Sequence, residues 1–187
     1  MIWNWAKNIH DLALGREASS YSIDVDVDVD VDDIDNNKDK RFNEWEFNSG
    51  FVGEIEKVLA IRLSQIFNDF DDRQLRAVDI TVFPWYKKIE MSFLVSGDDA
   101  SIEHVRAWEY FDYLGMSTGS WEDARVLANE VYVIWNQEKD PASIFNDFGR
   151  AATSQAVTKV LNRYNLSADF IMQVKDPDDR NSPNYCE

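Results

Sequence analysis

Residues 76–95, "RAVDITVFPWYKKIEMSFLV", contain two runs of alternating apolar residues on either side of a proline. The alternating residues are Val78, Ile80 and Val82 in the first run, and Ile89, Met91, Phe93 and Val95 in the second. A period of two is typical of a β-strand with one apolar face. Pro84 cannot donate to a sheet ladder, so it marks the turn between the runs. The stretch therefore predicts an antiparallel β-hairpin.

Further elements are predicted on both sides of this hairpin. Apolar residues at three- and four-residue spacing predict helices at 2–14, 44–70, 121–135 and 141–164, and the opening stretch "SGDDAS" with the closing Gly115 predicts another at about 98–114. Alternation predicts further strands at 21–32 and 168–175. Because Gly50 and Gly53 weaken its first turn, the second helix is expected to begin near residue 51. This order predicts an α+β fold with a mainly antiparallel sheet of about four strands, covered by four to five helices. We expect one domain over 1–187, with a flexible tail at 176–187.

The chain is strongly acidic. Its 187 residues include 19 Lys+Arg and 35 Asp+Glu, which gives a formal net charge of −16. Such a surface repels nucleic acid and anionic membranes and attracts basic proteins or divalent cations, although acidity also simply maintains solubility. No run approaches the ~20 apolar residues of a membrane span. The first twenty residues lack a signal-peptide pattern, and Cys186 is the single cysteine, so we expect a cytoplasmic protein.

An acidic segment at residues 23–32 precedes the hairpin in the chain. Five aspartates alternate there with isoleucine and valine: Asp24, Asp26, Asp28, Asp30 and Asp32. In a strand, residues two apart share a face at a spacing of ~6.6–6.8 Å, so the predicted strand presents a row of carboxylates. One or two charges suffice to protect a sheet edge from aggregation, which is the alternative role. We interpret the row as a surface for a partner rich in Lys and Arg.

The next twelve residues, 35–46, resemble an EF-hand calcium loop. The candidate ligands are Asp35, Asn37, Asp39 and Glu46, at loop positions 1, 3, 5 and 12. Lys40 stands where the family has glycine, and the preceding element is a predicted strand instead of a helix. The alternative is a solvated polar loop that caps the following helix. Calcium is therefore an alternative ligand, and otherwise no cofactor is expected. Calcium binding predicts a rise in melting temperature that Glu46→Gln removes.

The sequence lacks the common enzymatic signatures. Its two histidines, His10 and His104, are far apart, and no zinc spacing, phosphate loop or nucleophile elbow is present. Carboxylate pairs have little meaning in so acidic a chain. An enzyme of unrecognised type is thus the third hypothesis, and we expect a protein without catalytic residues.

The stretch 101–115, "SIEHVRAWEYFDYLG", combines aromatic residues with carboxylates. Together with the acidic segment, it gives this small α+β chain the overall character of bacterial immunity proteins, which it resembles. The resemblance implies tight one-to-one binding that occludes a cognate toxin of basic, nuclease type, with no chemistry of its own. The residues expected to bind this partner are the five aspartates together with Trp85, Tyr86, Glu109 and Tyr110. Trp108 is a further candidate anchor, and core packing is the alternative role for all of these aromatic residues.

Overall fold

The computed structural model describes residues 47–113, 115 and 121–187. The helices and strands found there are α1 (Phe51–Gln65), β1 (Gln74–Phe83), β2 (Lys88–Val95), α2 (Glu122–Glu138), α3 (Pro141–Ala152), α4 (Gln155–Leu161) and β3 (Asn165–Gln173). The described residues belong to one compact unit. This composition confirms the α+β class. The organisation of the whole chain as one domain stays a prediction.

The sheet corrects the predicted topology. Within the described residues it has three strands in the order β2-β1-β3, and it is mixed: β1 is antiparallel to β2 and parallel to β3. The predicted strand at 21–32 lies outside the described residues. The last strand is parallel to β1 because the chain passes through α2, α3 and α4 before it returns on the other side of β1.

The hairpin formed by β1 and β2 confirms the central prediction. Ile80 pairs with Met91 and Val82 pairs with Ile89, so the alternating apolar residues of both strands share one face. That face packs against apolar residues of the four helices in one buried core. The largest fully buried side chains include Phe70, Phe93, Phe145 and Phe148. The burial of this face is the main term that holds the helices on the sheet.

The start of α1 depends on two glycines. The helix begins at Phe51, as predicted, after Gly50 at a φ of 77°. A Cβ atom on Gly53 would lie 1.7 Å from the carbonyl oxygen of Asn48, so only glycine fits there. The two glycines thus allow the chain before α1 to pass close to the first turn of the helix. The helix ends at Gln65, and a 3₁₀ turn at Phe67–Phe70 follows it.

The predicted helix at about 98–114 is wrong for the described residues. The segment is irregular apart from a 3₁₀ turn at Val105–Ala107. Its backbone groups find partners elsewhere: the Asp98 carboxylate accepts two backbone N–H groups of the segment, and the Phe93 N–H donates to the Tyr110 carbonyl at 3.1 Å. The segment therefore pairs with the outer edge of β2, and this pairing replaces the helical hydrogen bonds.

The predicted helix at 141–164 is divided in two. Its start is confirmed, since the Asp140 carboxylate accepts the Ala142 N–H at 3.0 Å and caps α3. After Ala152 the chain bends, and the Ser154 hydroxyl accepts the Val157 N–H at 3.3 Å to cap α4. A second N-cap inside an apolar periodic stretch is thus what breaks the helix.

The residues after β3 fold back against it. The Asn184 side chain accepts the Val174 N–H at 3.1 Å and donates to the Met172 carbonyl at 3.0 Å. The Tyr185 ring lies 5.5 Å from the ring of Phe145 on α3. These contacts place the C-terminal residues beside β3 and α3. The flexibility expected for 176–187 stays a prediction.

Candidate functional site

Most of the predicted binding residues lie outside the described residues. These are all five aspartates of the acidic segment and the four calcium-ligand candidates Asp35, Asn37, Asp39 and Glu46. Trp85, Tyr86, Glu109 and Tyr110 are described. In residues 47–113, 115 and 121–187, no group of three His, Cys, Asp or Glu side chains is arranged to hold a metal ion.

Trp85 and Tyr86 form part of an exposed surface at the hairpin turn, where the 3₁₀ turn Pro84–Tyr86 packs against α2. We call it the aromatic–lysine surface, and its residues are Trp85, Tyr86, Lys87, Tyr132, Trp135 and Lys139. The 3₁₀ turn begins at Pro84, whose fixed φ suits the first position. It ends at Lys87, which has a φ of 52°. The turn thereby projects two adjacent aromatic residues beyond the end of the sheet.

The rings of this surface contact one another. Trp85 lies 6.3 Å from Trp135 at an interplanar angle of 65° and 6.2 Å from Tyr86 at 71°, measured between centroids. Tyr132 lies 6.0 Å from Trp135 on the same helix. Edge-to-face pairs at such distances attract through the ring quadrupoles. Tyr86 nevertheless remains 74% exposed. The surface therefore presents a large aromatic side chain to solvent from a base of packed rings.

Two lysines cover the faces of its rings. The Lys87 Nζ atom lies 4.4 Å from the centroid of Tyr132, and the Lys139 Nζ atom lies 4.2 Å from the centroid of Trp135. Both residues have left-handed backbone conformations, with φ values of 52° and 57°. At Lys139 this conformation ends α2, where the Lys139 N–H donates to the Trp135 carbonyl at 2.7 Å. Cation–π contacts thus hold both ammonium groups on the aromatic faces.

Glu109 and Tyr110 belong to a different part of the molecule. Tyr110 packs edge-on against Phe70, with centroids 5.1 Å apart, and the Arg73 guanidinium lies 5.1 Å above its ring. Tyr110 pairs with Phe93, which is five residues along β2 from the turn, or about 17 Å at the usual rise of a strand. The four predicted residues therefore fall into two clusters. Neighbouring Trp108 is buried, as its core-packing alternative states, and its indole N–H donates to the Ser101 carbonyl at 3.0 Å.

Four residues of the aromatic–lysine surface were not predicted as partner residues: Lys87, Tyr132, Trp135 and Lys139. Trp135 lies at the end of the helix predicted at 121–135, and its side chain is only half-buried. The aromatic and lysine residues at positions 132, 135 and 139 follow a helical i, i+3, i+7 spacing along one flank. That spacing was the available signal. Only the packing of α2 against the hairpin turn shows that it completes a surface with Trp85.

The opposite face of the hairpin carries a buried polar cluster. The buried Asp79 carboxylate accepts hydrogen bonds from the Thr81 hydroxyl and, at 2.8 Å, from the Gln173 amide. Burial raises the pKa of Asp79 to about 6 even though these hydrogen bonds lower it. Nearby, Lys88 forms an ion pair with buried Glu90. Burial, the largest single effect, lowers the pKa of Lys88, but the hydrogen bonds and charges of Glu90 and Asp112 together outweigh it and raise the lysine pKa.

This polar cluster connects the sheet to its neighbours. Gln173 lies on β3, so its bond to Asp79 joins β3 to β1. The Lys88 ammonium also lies 3.4 Å from the Asp112 carboxylate, which joins β2 to the irregular segment. The Asp112 N–H donates to the Ser92 hydroxyl at 3.0 Å. These contacts give the cluster a structural role.

Comparisons with models of protein families, with curated proteins and with solved structures give no match to this chain. No helix within the described residues has the length and apolar character needed to cross a membrane. A candidate function therefore depends on the surfaces of this molecule, and the aromatic–lysine surface presents Tyr86, the most exposed aromatic side chain among the described residues.

Proposed function

We propose that this chain is a non-catalytic binding protein of the immunity type, which holds and occludes a basic toxin. The observation that carries the proposal is the aromatic–lysine surface, where the exposed Tyr86 stands on the packed rings of Trp85, Trp135 and Tyr132. Trp and Tyr are the side chains that most often dominate the binding energy of protein interfaces.

The packing of the rings favours affinity. A side chain that is already held in place loses little conformational entropy when a partner binds. Trp85 is held by Trp135, and the ammonium groups of Lys87 and Lys139 lie over the neighbouring rings of Tyr132 and Trp135. The two ammonium groups on the ring faces suit backbone carbonyls or single carboxylates of the partner. The surface is thus a preorganised anchor of mixed aromatic and polar character.

The overall charge supplies attraction at long range. A net charge of −16 steers a basic protein towards this chain and raises the association rate at low salt. The aspartates of the acidic segment, Asp24 to Asp32, are the expected partners for lysines and arginines in a nucleic-acid-binding groove. Occlusion of such a groove inhibits a nuclease without any chemistry by the inhibitor. We therefore propose that the negative charge steers the partner to this chain and that the aromatic rings anchor it.

The experiment uses the protein encoded immediately upstream of this chain in its native genome. We expect its expression alone to arrest growth and co-expression of the wild-type chain to restore it. With purified proteins, we expect tight one-to-one binding by calorimetry that weakens at high salt. A nontoxic neighbour that does not bind, or binding that is independent of salt, would contradict the immunity assignment.

Variants then test the anchor. Tyr86→Ala and Trp85→Ala are expected to weaken binding by about tenfold or more, as is typical of interface anchors. Because Tyr86 is 74% exposed, its truncation leaves the fold intact, which circular dichroism checks. Lys159→Ala, an exposed change on α4, is the control and should bind as the wild type does. Asp26→Asn combined with Asp28→Asn should weaken binding and reduce its salt dependence. Unchanged affinity in both tests would remove the proposed interface.

A further inference from the structure

A groove of about 270 Å³ runs between α1 and α2 on the flank of α2 opposite to Tyr132. Its lining residues are Glu54, Lys57, Val58, Ile61, Asp123, Val126, Leu127 and Glu130. The two helices contribute residues at the same spacing, i, i+3, i+4 and i+7. Each stripe therefore rises about 10 Å, or two helical turns. The groove is long enough for two apolar side chains one turn apart.

The middle of the groove is apolar. Val58 and Leu127 are buried and form its floor, while half-buried Ile61 and exposed Val126 form its walls. Val126 is 57% exposed, and Val133 on the same helix is 51% exposed but does not line the groove. The two valines thus lie on the same helix with similar exposure, and only Val126 lines the groove.

The rim of the groove is acidic. Glu54, Asp123 and Glu130 are exposed at its margins, against a single cation at Lys57. None of these three rim carboxylates belongs to an ion pair found among the described residues. The cations of those ion pairs are Arg73, Lys88, Arg125, Arg150 and Lys175. The rim therefore carries negative charge that is not compensated by those pairs, on both sides of an apolar floor.

We propose that this groove binds an amphipathic helix that has an apolar stripe flanked by lysine and arginine, contributed by the basic partner. Apolar side chains would contact Val58, Leu127 and Val126, and the flanking cations would meet the rim carboxylates. An amphipathic helix in a groove between helices is a recurrent mode of peptide recognition, with anchors at i and i+3 or i+4. The identity of the partner rests on the proposed function, whereas the chemistry of the groove does not.

The test uses three twelve-residue helical peptides with the full-length chain. The first has leucine on one face and lysine on the other, the second is the same composition scrambled to break the apolar face, and the third replaces lysine with glutamate. Titration followed by calorimetry and by amide chemical shifts should show binding of the first peptide. We expect at least about tenfold weaker binding of the other two, since each lacks one half of the complementarity. Equal affinity for the first and second peptides would reduce the site to non-specific charge and overturn the proposal.

Matched variants locate the binding. Val126→Ser should weaken the first peptide about fivefold because it removes apolar contact area, while Val133→Ser should leave it unchanged. Asp123→Lys with Glu130→Lys should weaken it about tenfold or more. Asp178→Lys with Glu187→Lys makes the same change in net charge at exposed sites outside the groove, and should have a much smaller effect. If both members of either pair behave alike, the groove is not the binding site.

Two further results separate the proposals. A cognate toxin that depends on Tyr86 but binds the Val126→Ser variant normally leaves the proposed function intact and overturns the groove assignment. Peptide binding that depends on Val126, in a chain that binds no toxin, supports the groove and contradicts the proposed function. Sedimentation of the chain alone provides the last check, because a dimer that Val126→Ser abolishes would assign the groove to a second copy and overturn the proposal.

Discussion

The alternating backbone of the hairpin gives it two faces, and these faces bury side chains of different character. One face consists of apolar side chains, including Ile80 and Phe93, and packs against the helices. The other face carries Asp79, Glu90 and Ser92, which are equally removed from solvent. An alternating antiparallel sheet usually has one solvated face, so the burial of the second face is the unexpected feature.

The comparison shows that burial stabilises the two faces differently. On the apolar face, each side chain gains from leaving water, and no specific partner is required. On the polar face, burial costs free energy unless hydrogen bonds and ion pairs compensate it. Asp79 illustrates the incomplete compensation, because its pKa is raised to about 6 although Thr81 and Gln173 donate to it. The first face supplies stability. On the second face, which also buries Ala77 and Leu94 against Trp108, the polar groups connect neighbouring elements at a cost in free energy.

The largest effect is expected on the apolar face. Phe93→Ala should lower the free energy of unfolding by about 3–5 kcal/mol, because it leaves a cavity beside Phe70, whose ring centroid lies 4.7 Å away. Urea unfolding measures this change. Tyr86→Ala, an exposed aromatic residue next to the same hairpin, serves as the control and should cost less than about 0.5 kcal/mol. Similar losses in both variants would mean that burial does not distinguish these sites.

The second effect has the opposite sign and depends on pH. The folded pKa of Asp79, about 6, lies above the value of about 3.9 for an unfolded chain. Its protonated form therefore contributes stability that is fully present below about pH 4 and is lost as the pH rises to about 6. Asp79→Asn removes this titration and should stabilise the protein by up to about 3 kcal/mol at pH 7.

The measurement for Asp79 is the difference in unfolding free energy between the variant and the wild type from pH 4 to pH 7. This difference should grow in favour of the variant as the pH rises. Asp178→Asn, at an exposed position after β3, is the control and should leave the difference constant over that range. A constant difference for Asp79→Asn as well would show that the buried carboxylate gains no proton on folding.

A smaller loss is expected from the ion pair of the polar face. Lys88→Met removes the cation beside buried Glu90 and should cost about 2 kcal/mol, less than a fully buried pair because the Lys88 side chain is 35% exposed. Lys175→Met is a matched control, since Lys175 is 33% exposed and its partner Glu103 is solvent-exposed. Glu90→Gln in the Lys88→Met background should recover part of the loss. No recovery would mean that the lost stability does not come from an unpaired charge on Glu90.

The smallest effect tests the hydrogen bond from Thr81 to Asp79. Thr81→Val keeps the shape of the side chain and removes the hydroxyl donor, so it should cost about 1 kcal/mol at pH 7. Because this donor lowers the pKa of Asp79, its loss should raise that pKa further. In the Asp79→Asn background the same change should cost less, since a charged acceptor is no longer present. An identical cost in both backgrounds would mean that the contribution of Thr81 to stability does not depend on the Asp79 carboxylate.

Part of the candidate site was predictable from sequence. The stretch "PWYK" marks the turn of a hairpin, and it correctly places Trp85 and Tyr86 next to each other at its end. Trp135 and Lys139 lie about fifty residues further along the chain, and the sequence does not predict which element they contact. Only the packing of α2 against the turn brings Trp135 within 6.3 Å of Trp85.

The two errors in the predicted helices have a common physical cause. The segment near 98–114 has helix start and stop signals, but its backbone groups bond to Asp98 and to the edge of β2. The helix predicted at 141–164 breaks where the Ser154 hydroxyl caps α4. In both places other groups bind the backbone N–H and C=O groups that the predicted helix would have used.

The sequence by itself determined the α+β class, the hairpin, the start of α1 near residue 51 and the start of α3 at residue 141, because these signals act between residues that are close in the chain. Only the tertiary structure decided that β3 runs parallel to β1, that Asp79 and Glu90 are buried, and that α1 and α2 enclose an acidic groove. These features depend on which elements pack together. Local periodicity gives the faces of an element, and long-range packing selects what each face meets.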